Sequence, residues 1–238
     1  MEKKLYRPPS NFNDRDAKAF IIELFSFINS SKTIQDLELI PEKINHGYKL
    51  QKKMPGENYP RLRLKITDED IKILKKIGAI SENKKLTLNL AHDSLKDGKK
   101  MSALEKLLYS MLWKNGDLGK EHHLISGILG DSHSKKFGTV FYEFGGYLAG
   151  KHSYILDQHT LRCFAVRTAS DNEISSARNL DQIDGTDAKC LELIKSYREF
   201  YKNIILNSLC DQTDFLYMVD RLLFAAGKLV KTKKAEKI

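Results

Sequence analysis

Most apolar residues of this chain recur at the spacing of an α-helix. In the segment from residue 14 to residue 30 they fall on one helical face, which consists of Phe20, Ile21, Leu24, Phe25 and Ile28. Asn13 or Asp14 can cap the start, because short polar side chains accept hydrogen bonds from the first free backbone N–H groups. A weaker helical pattern covers residues 33–45. The N-terminal region is therefore predicted to be helical.

The pattern changes in residues 46–92. Two short stretches, Tyr48–Leu50 and Leu62–Ile66, alternate apolar and polar residues on either side of a Pro/Gly/Asn turn region, and residues 86–90 form a third strand candidate. Between them Thr67 opens a predicted helix with acidic residues in its first turn, where the helix dipole favours them. The apolar stripe of that helix consists of Ile71, Ile73, Leu74 and Ile77. This segment predicts a small α+β insert, either winged-helix-like or a plain packing appendage.

From residue 93 onward the pattern is helical again. The predicted helices cover residues 101–113, 118–129, 137–148, 158–167, 186–207 and 211–226. In the third of these, one continuous buried face is predicted from Phe137, Val140, Phe141, Phe144 and Leu148. Gly145 and Gly146 are poor helix formers, so they indicate close approach of another backbone or an early helix end. Gly227 is predicted to stop the last helix.

These elements predict a mainly α fold in four parts. Residues 1–45 are the N-terminal helices that pack on the core, and residues 46–92 are the small insert near the N-terminal half. Residues 93–228 form the helical core, and residues 229–238 are a basic tail. A chain of 238 residues with 41% hydrophobic and 30% charged residues can bury such a core, which argues against wholesale disorder.

Composition also bounds the compartment. No apolar run approaches the roughly 18 residues that a membrane-spanning helix needs, and the polar start of the chain lacks the apolar core of a secretion signal. Cys163, Cys190 and Cys210 are odd in number and widely spaced, which predicts neither a disulfide framework nor a CxxC metal site. We therefore expect a cytoplasmic protein without a metal, a cofactor or a membrane contact.

The formal net charge of the chain is +9. Lysines are denser at Lys52–Lys53, around residues 96–100 and between Lys228 and Lys237. A basic protein is biased towards polyanions, and nucleic acid is favoured over a membrane surface because no amphipathic anchor is evident. Lysine-rich composition with a basic tail explains the charge equally well.

Residues 130–168 carry the candidate chemistry. Lys135 and Lys136 lie at the N-terminal end of a predicted helix, where the dipole and desolvation would lower the pKa of a lysine and make it a better nucleophile. Two solvated lysines beside a turn are the alternative. Asp157 follows a short apolar run and opens another predicted helix, and an aspartate at that position is most simply an N-cap.

The order of these features resembles the helix–hairpin–helix DNA glycosylase superfamily. That family carries a hairpin of the form L-P-G-[VI]-G-[RT]-K, a helix, and then V-D-T-H-[VI]-x-R. Here residues 130–136 (GDSHSKK) occupy the hairpin place, and residues 156–162 (LDQHTLR) occupy the aspartate place. Ser132 and Ser134 stand where the family has glycines, and their hydroxyls can donate hydrogen bonds to a phosphate. The cysteine array of the iron–sulfur members is missing, so no cluster is expected.

The resemblance implies a helical DNA-glycosylase-like core, a monomer that acts on DNA, and a base-excision mechanism. A damaged base would be flipped out of the duplex, Asp157 would stabilise the cationic sugar, and Lys136 would attack C1′ to give a Schiff base and strand cleavage. Lys135 is the alternative nucleophile, and without either lysine Asp157 would activate a water. His159 is expected beside Asp157 as a hydrogen-bond partner.

Ser132, Ser134, Lys135 and Arg162 are the nucleic-acid-binding candidates. For Arg162 two roles are open, a structural one and a phosphate contact. Two other functions fit the sequence. One is a non-enzymatic nucleic-acid-binding helical protein that reads its target with the 46–92 insert. The other is a helical interaction protein whose charge is incidental.

Overall fold

A computed structural model describes residues 12–54, 66–76, 80, 82, 120–132, 138–152, 154–208 and 212–232. Every element of regular secondary structure assigned within these ranges is a helix, which confirms the mainly α class. They are α1 (Asp14–Ser30), α2 (Ile34–Glu38), α3 (Ile40–Lys43), α4 (Gly47–Lys53), α5 (Asp68–Lys76), α6 (Glu121–Leu129), α7 (Thr139–Leu148), α8 (Gln158–Thr168), α9 (Ile174–Arg178), α10 (Ala188–Asn207) and α11 (Gln212–Val230). None of these helices is long and apolar enough to cross a membrane.

The chain divides into two compact units. Unit 1 comprises Met1–Arg61, Leu156–Ile183 and Asp187–Ile238, and its described part contains α1–α4 and α8–α11. Unit 2 comprises Leu62–Ile155 with Asp184–Thr186 and contains α5–α7. The four-part division predicted from the sequence stays a prediction.

An aromatic cluster forms the core of unit 1. Helix α1 begins at the predicted cap, since the Asn13 Oδ1 accepts a hydrogen bond of 2.8 Å from the Asp16 N–H. Its predicted apolar face is buried as expected. Phe25 on that face meets the ring of Phe164 on α8 edge-on, with 4.9 Å between centroids, and Phe200 on α10 at 5.1 Å. Such edge-to-face pairs fix the three helices relative to one another.

The weak helix predicted over residues 33–45 is two short helices. Thr33 opens α2 with a capping box to Asp36, and α3 follows after Leu39. Pro41 lies in the first turn of α3, where its missing N–H costs nothing. The same proline cannot donate the hydrogen bond that would continue α2, which explains the break.

The strand predicted at Tyr48–Leu50 is wrong. These residues belong to α4, where Leu50 is buried and Tyr48 is 61% exposed. Residues two apart share a face on a strand but diverge on a helix, so the apparent alternation was misleading. The helix predicted after Thr67 is confirmed as α5, with Ile71 buried and Ile73 exposed. The other strand candidates lie outside the described residues, apart from Ile66.

Unit 2 contains a close helix pair, α6 against α7. A Cβ added to Gly145 would lie 2.1 Å from the Leu124 carbonyl oxygen, and one added to Gly127 would lie 1.9 Å from that of Tyr142. The expected close backbone approach at Gly145 is therefore confirmed. The predicted apolar face is only partly correct. Leu148 is buried, Val140, Phe141 and Phe144 are partly buried, and Phe137 lies outside the described residues. Small residues determine the side of α7 that meets α6, since they let the two backbones touch.

Gly227 does not end the last helix. It lies inside α11, which continues to Val230. A Cβ at this position would lie 1.9 Å from the carbonyl oxygen of His159 on α8. The glycine is therefore a contact point between two helix backbones in unit 1.

Replacing Gly227 by alanine tests this contact. At an unconstrained helical position the change would stabilise the helix by about 1 kcal/mol. Here the added methyl group forces α8 and α11 apart, so we expect the free energy of unfolding to fall by about 2–3 kcal/mol. Chemical denaturation measures it, with the exposed helical Lys202→Ala as the control. A stabilised G227A protein would contradict the close contact.

Candidate functional site

Asp157 is the N-cap of α8. Its Oδ1 accepts hydrogen bonds from the backbone N–H groups of His159 at 2.6 Å and Thr160 at 2.9 Å. The Thr160 Oγ1 in turn accepts from the Asp157 N–H at 3.2 Å, which completes a capping box. These bonds hold the half-buried carboxylate in one orientation. Within the described part of the chain, its second oxygen, Oδ2, accepts no hydrogen bond.

Arg162 lies one turn further along α8 and is 0% exposed. Its Nη1 donates to the carbonyl oxygen of Gly227 at 2.8 Å, and its Nη2 donates to that of Leu180 at 2.6 Å. The same Nη2 lies 3.3 Å from the Asp181 Oδ1. A guanidinium enclosed in this way cannot reach a phosphate without giving up these bonds. The contacts therefore favour the structural role of Arg162 over the predicted phosphate contact.

The ring of His159 contacts Arg162. The His159 Nδ1 lies 2.8 Å from the Arg162 Nη1. Because a guanidinium has no acceptor, Nδ1 must accept, which places the ring proton of neutral His159 on Nε2. The ring also meets Phe224 on α11 edge-on, with 4.9 Å between centroids. The expected hydrogen bond to Asp157 exists, but the backbone N–H of His159 donates it.

Burial is the main influence on the protonation of His159. It lowers the pKa of the imidazole below its ordinary value of 6.5, and Asp157 opposes this effect. The charges of Arg162, Lys228 and Lys231 lower the pKa further. The ring is therefore neutral at pH 7, in agreement with its acceptor role towards Arg162.

The thiol beside this arginine is not a nucleophile. Cys163 is completely buried, and its Sγ donates to the Leu223 carbonyl oxygen at 3.2 Å. Burial raises the pKa of this thiol far above its ordinary value, so the thiolate is not formed at neutral pH. In the ranges that the structure describes, no three His, Cys, Asp or Glu side chains converge as a metal ion would require.

Most of the lysine half of the predicted site lies outside the residues that the structure describes. Ser134, Lys135 and Lys136 lie outside the described residues, whereas Ser132 is exposed two residues after the left-handed Gly130 that ends α6. Lys136 falls in unit 2 and Asp157 in unit 1. The pairing of Lys136 with Asp157 therefore stays a prediction.

Some contacts of His159 and Arg162 were not predicted from the sequence. Asp181 lies in a polar loop 19 residues after Arg162, and Phe224 carries the ordinary signature of a core residue. Lys228 was noted only as the first residue of a lysine-dense stretch, and it lies within α11. No local sequence motif predicts these contacts, because they form only in the packed tertiary structure.

Comparison with known proteins leaves the family open. No protein-family model matches the chain, and no curated protein or solved structure matches it significantly. The resemblance to the glycosylase superfamily thus rests on residues 130–168 alone.

Replacing Arg162 by methionine tests its structural role. The change leaves two carbonyl oxygens without their donor and the Asp181 carboxylate without one of its two cationic partners, so we expect a loss of about 3–5 kcal/mol in the free energy of unfolding. Arg167→Met on the same helix is the matched control. Arg167 is exposed and stacks on Phe25, so its loss should cost about 1 kcal/mol or less. Equal losses in the two variants would refute the structural assignment.

Protonation of His159 should make stability depend on pH. Because the folded pKa lies below the unfolded one, the unfolded chain binds more protons in this range. The His159 contribution is complete above the unfolded pKa, near 6.5, and is lost as the pH falls towards the folded pKa. We expect urea denaturation to show a smaller loss of stability between pH 7.5 and pH 5.5 in His159→Gln than in the wild type. His122→Gln is the control, and equal losses in wild type and His159→Gln would contradict this sign.

Proposed function

We propose that this protein is a DNA base-excision glycosylase in which Asp157 is the carboxylate at the reacting sugar. The geometry of Asp157 supports this most directly. One carboxylate oxygen is fixed by two backbone N–H groups, and the other is left without a hydrogen bond among the described residues. A rigidly held carboxylate with an available oxygen is what stabilisation of a developing cation requires.

The electrostatic surroundings of Asp157 consist of a helix dipole and nearby charged side chains. The carboxylate lies at the N-terminal end of α8, where the helix dipole is positive, and the first turn of that helix contains no other acidic residue. Its charge also acts on the His159 ring alongside those of Arg162, Lys228 and Lys231. An ionised carboxylate there can stabilise positive charge at C1′ as the bond between sugar and base breaks.

The chemical step follows from the proposed pair. The amine of Lys136 attacks C1′ of the flipped nucleotide, the C1′–N bond breaks, and the base leaves with the bonding electrons and takes up a proton. Ring opening gives a Schiff base, and elimination of the 3′ phosphate then cleaves the strand. If Lys136 does not reach the sugar, Asp157 activates a water instead, and the same bond is hydrolysed without strand cleavage.

A non-enzymatic nucleic-acid-binding protein is the second candidate. The net charge of +9 favours it, together with the cations around His159. A binding protein does not need a carboxylate with an oxygen left open, and Asp157 provides one. For this reason we prefer the enzyme. The proposed partner is DNA for the enzyme and a nucleic acid for the alternative, while the monomeric state and cytoplasmic location stay predictions.

Asp157→Asn separates catalysis from capping. Asparagine caps a helix about as well as aspartate, so the melting temperature should stay close to that of the wild type. Loss of the charge should reduce base release from duplexes with oxidised, deaminated or alkylated bases by about 100-fold or more. Asp187→Asn is the matched control, because Asp187 caps α10 through a similar bond to the Cys190 N–H. Unchanged base release by Asp157→Asn would exclude Asp157 as the catalytic carboxylate.

Borohydride trapping tests the lysine. We expect a covalent protein–DNA adduct that is lost in Lys136→Ala and retained in Lys135→Ala, since only one of two adjacent lysines can be aimed at C1′. The reverse result would assign the neighbouring lysine. Base release without any adduct would indicate hydrolysis, and the failure of every lesion to react would reject the enzyme in favour of the binding protein.

A further inference from the structure

Two lysines at the C-terminal end of α11 lie near His159 in unit 1. Lys228 lies in the last turn of α11, and Lys231 follows the end of that helix. The charges of both act on the ring of His159, two residues after Asp157. Both positions are set by the contact of Gly227 with the His159 backbone, which brings the end of α11 to the start of α8.

Lys228 is held by an aromatic ring. Its Nζ lies 4.4 Å from the centroid of Phe224, whose ring in turn meets that of His159. The lysine is exposed, and it forms no ion pair with a carboxylate among the residues that the structure describes. A cation–π contact orients the ammonium group but does not neutralise it. Lys228 therefore offers a pre-positioned positive charge to an anion from solution.

Lys231 shares its carboxylate with the buried arginine. The Lys231 Nζ lies 2.7 Å from the Asp181 Oδ1, and the same oxygen is 3.3 Å from the Arg162 Nη2. One carboxylate thus serves two cations, and the lysine side chain is 35% exposed. Because the ion pair of a partly exposed lysine is weak, a phosphate can compete for Lys231 at little cost.

We propose that Lys228 and Lys231 bind consecutive phosphates of a DNA strand beside Asp157. Lys228 is connected to His159 through the Phe224 ring, and Lys231 through Asp181 and Arg162. A DNA backbone held by both lysines would therefore lie near the start of α8, where Asp157 is the cap. Phosphate contacts of this kind fix the register of a protein on DNA without reading sequence. The location beside a catalytic carboxylate rests on the proposed function, whereas the phosphate contact itself does not.

The competing explanation is a stabilising effect on the helix. Lysines near a helix C-terminus interact favourably with the dipole, and Lys228 lies in the last turn of α11. That explanation predicts an effect on the melting temperature and none on binding. The two explanations therefore differ in whether the salt dependence of DNA binding changes when the lysines are removed.

Salt-dependent binding to an undamaged duplex provides the test. Each phosphate contact contributes about 0.9 to the slope of log affinity against log salt concentration. Fluorescence anisotropy with a labelled duplex measures this slope. We expect its magnitude to be smaller by about 1 in Lys228→Ala and in Lys231→Ala, and smaller by about 2 in the double variant. Lys228→Arg should keep the wild-type slope because it keeps the charge.

The matched control removes the same charge elsewhere. Lys195 and Lys202 are exposed residues of α10, and the double variant K195A/K202A has the same net charge as K228A/K231A. Circular dichroism and the melting temperature verify that each variant is folded. Equal slopes in the two double variants would overturn the proposal, as would a wild-type protein that binds anionic vesicles or duplex RNA in preference to duplex DNA.

The result is independent of the enzyme assay. A reduced slope in K228A/K231A without base release by the wild type would retain the phosphate site and reject the glycosylase. Base release with an unchanged slope would retain the glycosylase and reject these two lysines.

Discussion

The contact between the backbones of α8 and α11 is the constraint on which the candidate site depends. Gly227 leaves room for the carbonyl group of His159, and its own carbonyl oxygen accepts a hydrogen bond from Arg162. Because the helices approach closely, the buried guanidinium of Arg162 can span the distance between them. The guanidinium in turn donates to carbonyl groups that would otherwise be buried without a donor. The glycine contact and the arginine bridge therefore depend on each other. Asp157, the cap of α8, is placed by the same junction.

The glycine pair of unit 2 shows the same close approach, and here too a cation reaches the neighbouring helix, since the Lys151 Nζ donates to the carbonyl oxygens of Gly127 and Ile128. There Gly127 and Gly145 allow the backbones of α6 and α7 to touch. Large apolar side chains would separate the helices and are displaced to the partly buried side, as Phe144 is. In both units small residues determine which helix faces meet, and the large hydrophobic residues fill the space that remains.

The sequence predicts helix caps and helix limits well where short-range interactions determine them. The caps Asn13 and Asp157 and the limits of α1 and α8 follow from short-range hydrogen bonds that the sequence displays directly. Tyr48–Leu50 was misread because three residues cannot separate period two from period 3.6. Gly227 was misread because a glycine near a helix end fits both a stop and a contact. The partners of Arg162 could not be predicted, since Leu180, Asp181 and Gly227 reach it only through the tertiary fold.

The structural and chemical roles proposed for Asp157 do not compete. Capping uses Oδ1, and the chemistry requires an oxygen that points elsewhere, which the carboxylate supplies as Oδ2. A cap alone needs no charge, because serine and asparagine serve as well. What only aspartate brings to this position is a full negative charge, and it lies at a helix N-terminus, whose dipole favours that charge. The capping bonds keep that charge from turning away, which is what the proposed role of Asp157 at the reacting sugar requires.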